Sequence, residues 1–136
     1  MNFKLEDKVY ALEIDLNKLY ENKRLRAKIG FTTKDMNKRI AGFRFSGNLR
    51  KKEHLVRKVY VSKNILAKSI ERIATEIAIV RGYERVNDKN LGLGYTEWFY
   101  CSGEQIKSCI LQAYRIVKNE NKKRGKNGKK KKIKSI

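Results

Sequence analysis

The chain has 136 residues and a formal net charge of +20, from 34 Lys and Arg against 14 Asp and Glu. This length predicts one domain with its own core, and the charge predicts a polyanionic partner, because basic side chains release counterions when they neutralise phosphates. The two cysteines alone cannot make a structural zinc site. The single histidine, His54, excludes a histidine-rich metal centre and, unless it works alone, a Ser-His-Asp triad.

Membrane and export signals are not found in the sequence. No segment approaches the length of a membrane span, and the N-terminal Met-Asn-Phe-Lys-Leu-Glu-Asp lacks the apolar run of a signal peptide. We therefore expect a cytoplasmic protein that makes no contact with a membrane.

The first two predicted elements are strands. Residues 8–15 alternate between two faces, one of which carries Tyr10, Leu12 and Ile14. Residues 24–31 alternate as well, and the polar connection between the two segments allows them to pair as an antiparallel hairpin. In the second strand Lys28 and Gly30 share the face that Ile29 avoids.

A short helix over 33–41 is predicted to follow. Thr32 or Thr33 can cap its N-terminus, and Gly42 lies where the helix should end. Arg39 then lies about two turns into the helix, near the open face of the second strand. A strand, a glycine, two threonines at a helix start and an inward arginine together indicate a phosphate site, and the alternative is a basic connection on the surface.

The segment 43–52 is basic and contains Phe43 and Phe45, a composition typical of a loop that faces nucleic acid. The alternative is a loop whose two rings cap the core. The candidate nucleic-acid contacts in this segment are Arg44, Arg50, Lys51 and Lys52.

A third strand over 55–61 is predicted to precede a long helix, which Ser62 or Asn64 can cap. An apolar stripe predicts the buried face of this helix. The stripe consists of Leu66, Ile70, Ile73, Ile77 and Val80. A glycine-containing loop over 87–95 and a short aromatic strand over 97–101 follow.

The last predicted helix begins at a capping box formed by Ser102 and Gln105. Its buried face carries Ile106, Cys109, Ile110, Ala113 and Val117. From Lys118 onwards the pattern gives way to sequence that holds ten of the Lys and Arg residues. We therefore expect a folded domain over 1–118 and a disordered Lys-rich tail over 119–136, which adds nonspecific affinity for nucleic acid or serves only as a solubilising end.

Four short motifs lie in order along these elements. Lys8-Val9-Tyr10 and Lys28-Ile29-Gly30 lie on the first two strands, Thr32 and Arg39 follow, and Thr96-Glu97-Trp98-Phe99 precedes the last helix. Their order and spacing resemble the GIY-YIG endonuclease superfamily. The resemblance is closest to a branch of small phage and bacterial proteins in which the second motif begins with lysine and a Glu-Trp-Phe signature follows.

The resemblance implies a metal-dependent endonuclease that hydrolyses phosphodiester bonds in DNA, with RNA as the alternative substrate. It implies that one glutamate holds Mg²⁺, or Mn²⁺, and that no small-molecule cofactor is needed. Tyr10 would be the base or its hydrogen-bonding partner, and Arg39 would bind the scissile phosphate. Lys28 would act through its charge or by lowering the pKa of a neighbouring phenol. Thr32 joins the nucleic-acid contacts, and a phage-encoded protein would act in the cytoplasm of its host.

Two glutamates of the long helix are candidates for the metal ligand that the resemblance implies. At about 100° per residue, Glu76 lies roughly 80° from the centre of the predicted apolar stripe, whereas Glu71 lies roughly 140° from it. Glu76 is therefore the preferred ligand, at the boundary of the core, and Glu71 is the second candidate.

The sequence thus predicts an α/β domain of the GIY-YIG type, with a small, mostly antiparallel, three-stranded central sheet flanked by helices. Metal-dependent cleavage of DNA is the first hypothesis for its function. The alternatives are a non-catalytic protein that binds DNA or RNA, and a ribosome-associated or packaging protein for which charge suffices. The hypotheses differ in whether Tyr10, Lys28, Arg39 and Glu76 meet on one concave surface. The oligomeric state stays open.

Overall fold

The computed structural model describes residues 6–18, 24–92 and 94–135, with the backbone alone for 121–135. In these ranges it contains four strands and three α-helices. The strands are β1 (Lys8–Ile14), β2 (Arg26–Thr32), β3 (Val56–Lys63) and β4 (Trp98–Phe99). The helices are α1 (Met36–Ala41), α2 (Ala67–Val80) and α3 (Gly103–Ser135). The predicted α/β class, with an antiparallel sheet flanked by helices, is confirmed.

The sheet is built around β1, in the order β3-β1-β2-β4 with all neighbours antiparallel. The predicted hairpin of β1 and β2 is present, and its register places Tyr10 opposite Gly30 and Leu12 opposite Lys28. With this register, alternation along both strands puts Tyr10, Lys28 and Gly30 on the same face. Part of the predicted connection between the two strands, residues 19–23, lies outside the described residues.

The sheet has four strands rather than the predicted three, because the short aromatic strand predicted over 97–101 joins it as β4 at the edge of β2. This strand is only two residues long, and it pairs Phe99 with Ala27 and Trp98 with Lys28. In the described part of the chain, residues 29–32 of β2 consequently have β1 as their strand neighbour on one side and none on the other. The edge of the sheet is open at this point.

Each face of the sheet has its own hydrophobic cluster. One cluster packs α2 and α3 against Val9 and Ala11 of β1 and against Ala27 and Ile29 of β2. The other cluster lies on the opposite face, where α1 and the loops that precede β3 and β4 cover it. Its buried members are Tyr10, Leu12, Ile14, Leu16, Met36, Phe45, Leu49, Val86, Leu91 and Trp98. The sheet is thus the middle of three layers.

Helix α1 is shorter than predicted and has a different cap. Asp35 caps it through a side-chain oxygen that accepts hydrogen bonds from the backbone N–H groups of Asn37 (3.0 Å) and Lys38 (3.4 Å). The predicted caps, Thr32 and Thr33, are wrong, since the Thr32 hydroxyl instead accepts a bond from the Lys34 N–H at 3.1 Å. The carboxylate is the stronger acceptor and moves the helix start to Met36.

Helix α2 buries a different face from the predicted apolar stripe. Its buried residues are Ala67, Ile70, Ala74 and Ala78, whereas Val80 is 86% exposed. The alanines allow the helix to lie close to the sheet and to α3, which turns the larger Ile73 and Ile77 to the border of the core. Neither predicted side chain is the N-cap, which is Leu66, although the Asn64 side chain accepts a bond from the Leu66 N–H at 2.8 Å.

Helix α3 begins and packs as predicted. Ser102 and Gln105 form the capping box, with the Ser102 N–H bonding to Gln105 at 2.8 Å and the Gln105 N–H bonding to Ser102 at 3.1 Å. All five residues of its predicted face are buried. The helix continues to Ser135, through the segment for which composition predicts disorder. No helix among the described residues is long and apolar enough to cross a membrane.

We expect removal of residues 119–136 to change the free energy of unfolding by less than about 0.5 kcal/mol. The reason is that Val117 is the last side chain of α3 buried among those described. Urea titration followed by circular dichroism measures this difference. As a control, Val117→Ala in the full chain should cost about 2 kcal/mol. A truncation that costs as much as this control would show that the tail packs on the domain.

Candidate active site

A cavity of about 230 Å³ lies at the open edge of β2. Residues from both faces of the sheet line it, with β1 and α1 contributing on one side and α2 on the other. Its lining residues are Tyr10, Lys28, Ile29, Gly30, Phe31, Arg39, Glu71, Thr75, Arg85 and Glu97. The structure therefore brings together three predicted catalytic residues, Tyr10, Lys28 and Arg39, and the second-choice glutamate, Glu71.

A hydrogen bond joins Tyr10 of β1 to Arg39 of α1. The phenol oxygen accepts it from Arg39 Nε at 3.2 Å. The residue is fully buried, and this burial raises the pKa of Tyr10 above its ordinary 10.0. The positive charge and hydrogen bond of Arg39 oppose that rise, while the charges of Glu97 and Glu71 add to it. The phenol is therefore protonated at neutral pH, with a cation beside its oxygen.

Gly30 makes room for Tyr10. A Cβ at Gly30 would overlap the tyrosine ring and its hydroxyl group, because the two residues are directly opposite each other in the β1–β2 pair. The sequence predicts that this glycine belongs to a phosphate site, but the group nearest to the position of an added Cβ is Tyr10. Gly30 thus permits the phenol to lie across β2 and to reach the cavity.

Lys28 and Glu97 form an ion pair in the cavity. The lysine side chain is 4% exposed and the glutamate side chain is 60% exposed. Burial lowers the pKa of Lys28, and the hydrogen bond and charge of Glu97 oppose this effect. Because an unpaired buried ammonium group is costly, Glu97 keeps Lys28 charged inside the cavity.

Glu71 is the glutamate of α2 that reaches the cavity. Burial raises the pKa of its carboxyl group, and the Glu97 charge adds to the rise, whereas Lys28 and Lys68 oppose it. Thr75, one turn further along α2, lines the same cavity and donates its hydroxyl to the Glu71 carbonyl at 2.9 Å.

Glu76, the glutamate preferred from the sequence, does not lie at the boundary of the core and does not line this cavity. Glu76 is exposed and lines a separate groove between α2 and α3, with Ile77 and Ile116 among its neighbours. The error comes from the misjudged buried face of α2. Measured from the centre of the alanine-rich face that is actually buried, Glu71 lies roughly 55° away and Glu76 roughly 165°.

Arg85 was missed by sequence reasoning. It follows α2 in a loop, donates to the Thr96 carbonyl at 2.9 Å, and lies over the Phe99 ring at 5.2 Å from its centre. These contacts hold it at the cavity. Its local sequence carries no motif, and tertiary contacts, including the isolated bridge of Arg85 to Phe99, bring it there.

The predicted nucleic-acid contacts are dispersed. Thr32 is buried and bonds to its own backbone segment. Arg44 is exposed and lines a neighbouring cavity. Arg50, Lys51 and Lys52 lie in a turn before β3, and none of them lines either cavity.

The site thus defines the class of the protein as a basic α/β domain with a mixed-charge cavity at the edge of its sheet. A family model for the T5orf172 domain matches residues 8–113. Because this match covers more than half of the chain, the chain belongs to the T5orf172 domain family, which is nuclease-related. Membership indicates a nuclease-like function that involves nucleic acid. No curated protein and no solved structure shows a significant match.

Gly30→Ala is expected to destabilise the protein by about 1–3 kcal/mol, because the added methyl group must displace the buried Tyr10 ring. Gly42→Ala is the matched control, since a Cβ there meets only ordinary contacts at 3.4 and 3.5 Å. Denaturant titration of both variants measures the difference. Equal stability of the two variants would mean that Tyr10 does not need the space above Gly30.

Proposed function

We propose that the chain is a metal-dependent DNA endonuclease of the GIY-YIG type, which hydrolyses phosphodiester bonds at the open edge of β2. The observation that carries this proposal is the convergence of Tyr10, Lys28, Arg39 and Glu71 on one cavity. These residues come from β1, β2, α1 and α2, so a shared structural element does not explain why they meet. Membership in a nuclease-related family supports the proposal.

Arg39 is suited to bind the scissile phosphate. Its Nε is held by Tyr10 at 3.2 Å, and its guanidinium lies over the Phe43 ring at 4.8 Å from the ring centre. The side chain is therefore positioned before substrate arrives, and this reduces the entropy lost on binding. A preorganised guanidinium also stabilises the negative charge that grows on the phosphate oxygens in the transition state.

We assign Tyr10 a role in activating the attacking water. In hydrolysis the water oxygen attacks phosphorus while a base takes a proton from the water, and the bond from phosphorus to a sugar oxygen breaks as that oxygen takes a proton from solvent. The Tyr10 oxygen would be that base. Arg39 Nε would stabilise the negative charge of the phenolate before the phenolate takes the proton from the water. Because burial keeps the pKa of Tyr10 above 10.0, only a small fraction is deprotonated at neutral pH.

Lys28 supplies a second positive charge to the same cavity. Its ammonium group is close enough to Glu71 to lower the pKa of that carboxyl group. We assign Lys28 a role in stabilising the phosphate through charge, with Glu97 holding the ammonium in place. A lysine can do this without taking part in proton transfer.

A divalent cation fits the acidic groups of the cavity. Among the described residues no group of three or more His, Cys, Asp and Glu side chains could hold a metal, but Glu71 and Glu97 both line the cavity. Mg²⁺ is commonly bound by one or two carboxylates, with water and substrate phosphate as further ligands. Glu71 would hold Mg²⁺ or Mn²⁺, which would help to neutralise charge on the phosphate.

The test is cleavage of supercoiled plasmid DNA with Mg²⁺, with and without a chelator. We expect Glu71→Gln and Arg39→Ala to reduce nicking by about 100-fold, because each removes a group that stabilises the transition state. Glu76→Gln is the matched control, since it makes the same change on the same helix outside the cavity, and it should nick at the wild-type rate.

Plasmid binding is measured beside cleavage, as a function of salt. Binding that is retained by all variants while nicking is lost only in the two cavity variants would support the proposed roles. Salt-sensitive binding by a wild-type chain that never nicks DNA would instead establish a non-catalytic nucleic-acid-binding protein. Loss of nicking in Glu76→Gln but not in Glu71→Gln would contradict the assignment of Glu71.

The nicking rate should rise with pH. If the phenolate of Tyr10 is the base, its population grows by about tenfold per pH unit between pH 6 and 8, because its raised pKa lies above this range. At higher pH the rise should stop when Lys28, whose pKa is lowered, loses its charge. Tyr10→Phe should remove the pH-dependent increase, and a variant that keeps the full slope would show that another group is the base.

A further inference from the structure

A second cavity, of about 220 Å³, lies directly beside the candidate active site. The two cavities share Lys28, Arg39 and Glu97 as their common wall. The remaining lining of the second cavity comes from Gly42, Phe43, Arg44, Leu91 and Trp98. A ligand held by the common wall can therefore extend from one cavity into the other without crossing an apolar barrier.

The loop that carries Phe43 and Arg44 is held firmly in place. Ser46 donates its N–H to the Asn90 carbonyl at 2.9 Å and its hydroxyl to the Lys89 carbonyl at 2.8 Å. The backbone of Gly92 lies against the carbonyl of Arg44, so closely that a Cβ would overlap it. These contacts fix the outer wall of the second cavity before any ligand binds.

The second cavity combines apolar side chains with positive charge. Leu91 and Trp98 are each 2% exposed and form its apolar base. The Phe43 ring is half-buried and lies under the Arg39 guanidinium, and Arg44 is exposed at the outer wall. Aromatic rings and guanidinium planes stack on nucleic-acid bases, and a nearby cation binds the backbone phosphate.

We propose that this second cavity binds the nucleotide next to the cleaved phosphodiester, with its base against the Phe43–Arg39 pair and its phosphate on Arg44. This inference rests on the proposed nuclease function and names the substrate more closely. A base in the cavity cannot stay stacked in a duplex at the same time. The preferred substrate is therefore DNA in which the nucleotide beside the cleaved bond is unpaired.

The substrates for the test are labelled duplexes that differ at one nucleotide. The wild-type cleavage position is first mapped, and a nucleotide on each side of it is then left unpaired, replaced by an abasic analogue or linked through a neutral methylphosphonate. We expect the unpaired nucleotide to raise kcat/KM about tenfold over the paired duplex at one of the two sides, because no base pair must be opened.

Phe43→Leu and Arg44→Ala identify the two contacts. Phe43→Leu should lower kcat/KM about tenfold on the unpaired substrate, and the abasic analogue should lower it no further in this variant. Arg44→Ala should likewise lower kcat/KM, and the neutral methylphosphonate should lower it no further in this variant. The matched controls are Tyr114→Leu and Arg72→Ala, exposed residues that line neither cavity, and both should behave as the wild type does.

Three results would overturn the inference. If the losses of kcat/KM caused by a variant and by its matching DNA change are additive, the side chain and the nucleotide are not in contact. If the variants lose no more kcat/KM than the controls, the cavity does not bind the nucleotide. A fully paired duplex cleaved as fast as the unpaired one would remove the substrate preference. In each case cleavage itself persists, whereas a wild-type chain that cuts no duplex overturns the proposed function as well.

Arg44→Ala keeps the test informative if Phe43→Leu fails to fold. Phe43 packs near Phe45 and Trp98, at ring distances of 5.9 and 6.2 Å, whereas Arg44 is exposed. Circular dichroism of each variant shows whether it is folded before its kinetics are compared.

Discussion

The position of the Tyr10 ring across Gly30 is the constraint on which the candidate site depends. Without a side chain on Gly30, the phenol of β1 passes over β2 and meets Arg39 at the edge of the sheet. Arg39 in turn lies over Phe43 and so connects the active-site cavity with its neighbour. Because the ring is fully buried, the energy of core packing also positions the group proposed for catalysis.

Much of the fold could be predicted because its signals are local. Alternation in β1 and β2, the capping box at Ser102 and the five-residue face of α3 each depend on neighbours in sequence, and the structure contains all of them. The short aromatic strand predicted over 97–101 is present as the two-residue β4, but its place in the sheet depends on pairing with the distant β2, which local periodicity does not specify.

The candidate site was predicted less well because it depends on how helices rotate against the sheet. Tyr10, Lys28 and Arg39 are predicted from their resemblance to motifs of the GIY-YIG superfamily, and they line one cavity. The sequence ranks Glu71 second because its large apolar residues predict the buried face of α2, whereas three of the four residues that are buried are alanines. Arg85 reaches the cavity only through tertiary contacts, so no periodicity could predict it.

The shortness of β4 has a consequence for chemistry. A sheet separates what lies on its two faces, and here Glu71 comes from the α2 face while Tyr10 and Arg39 come from the other. A β4 longer by two or three residues would continue the ladder along β2 and stand between the carboxylate and the phenol. Because β4 ends early, polar side chains from the two faces of the sheet line one cavity.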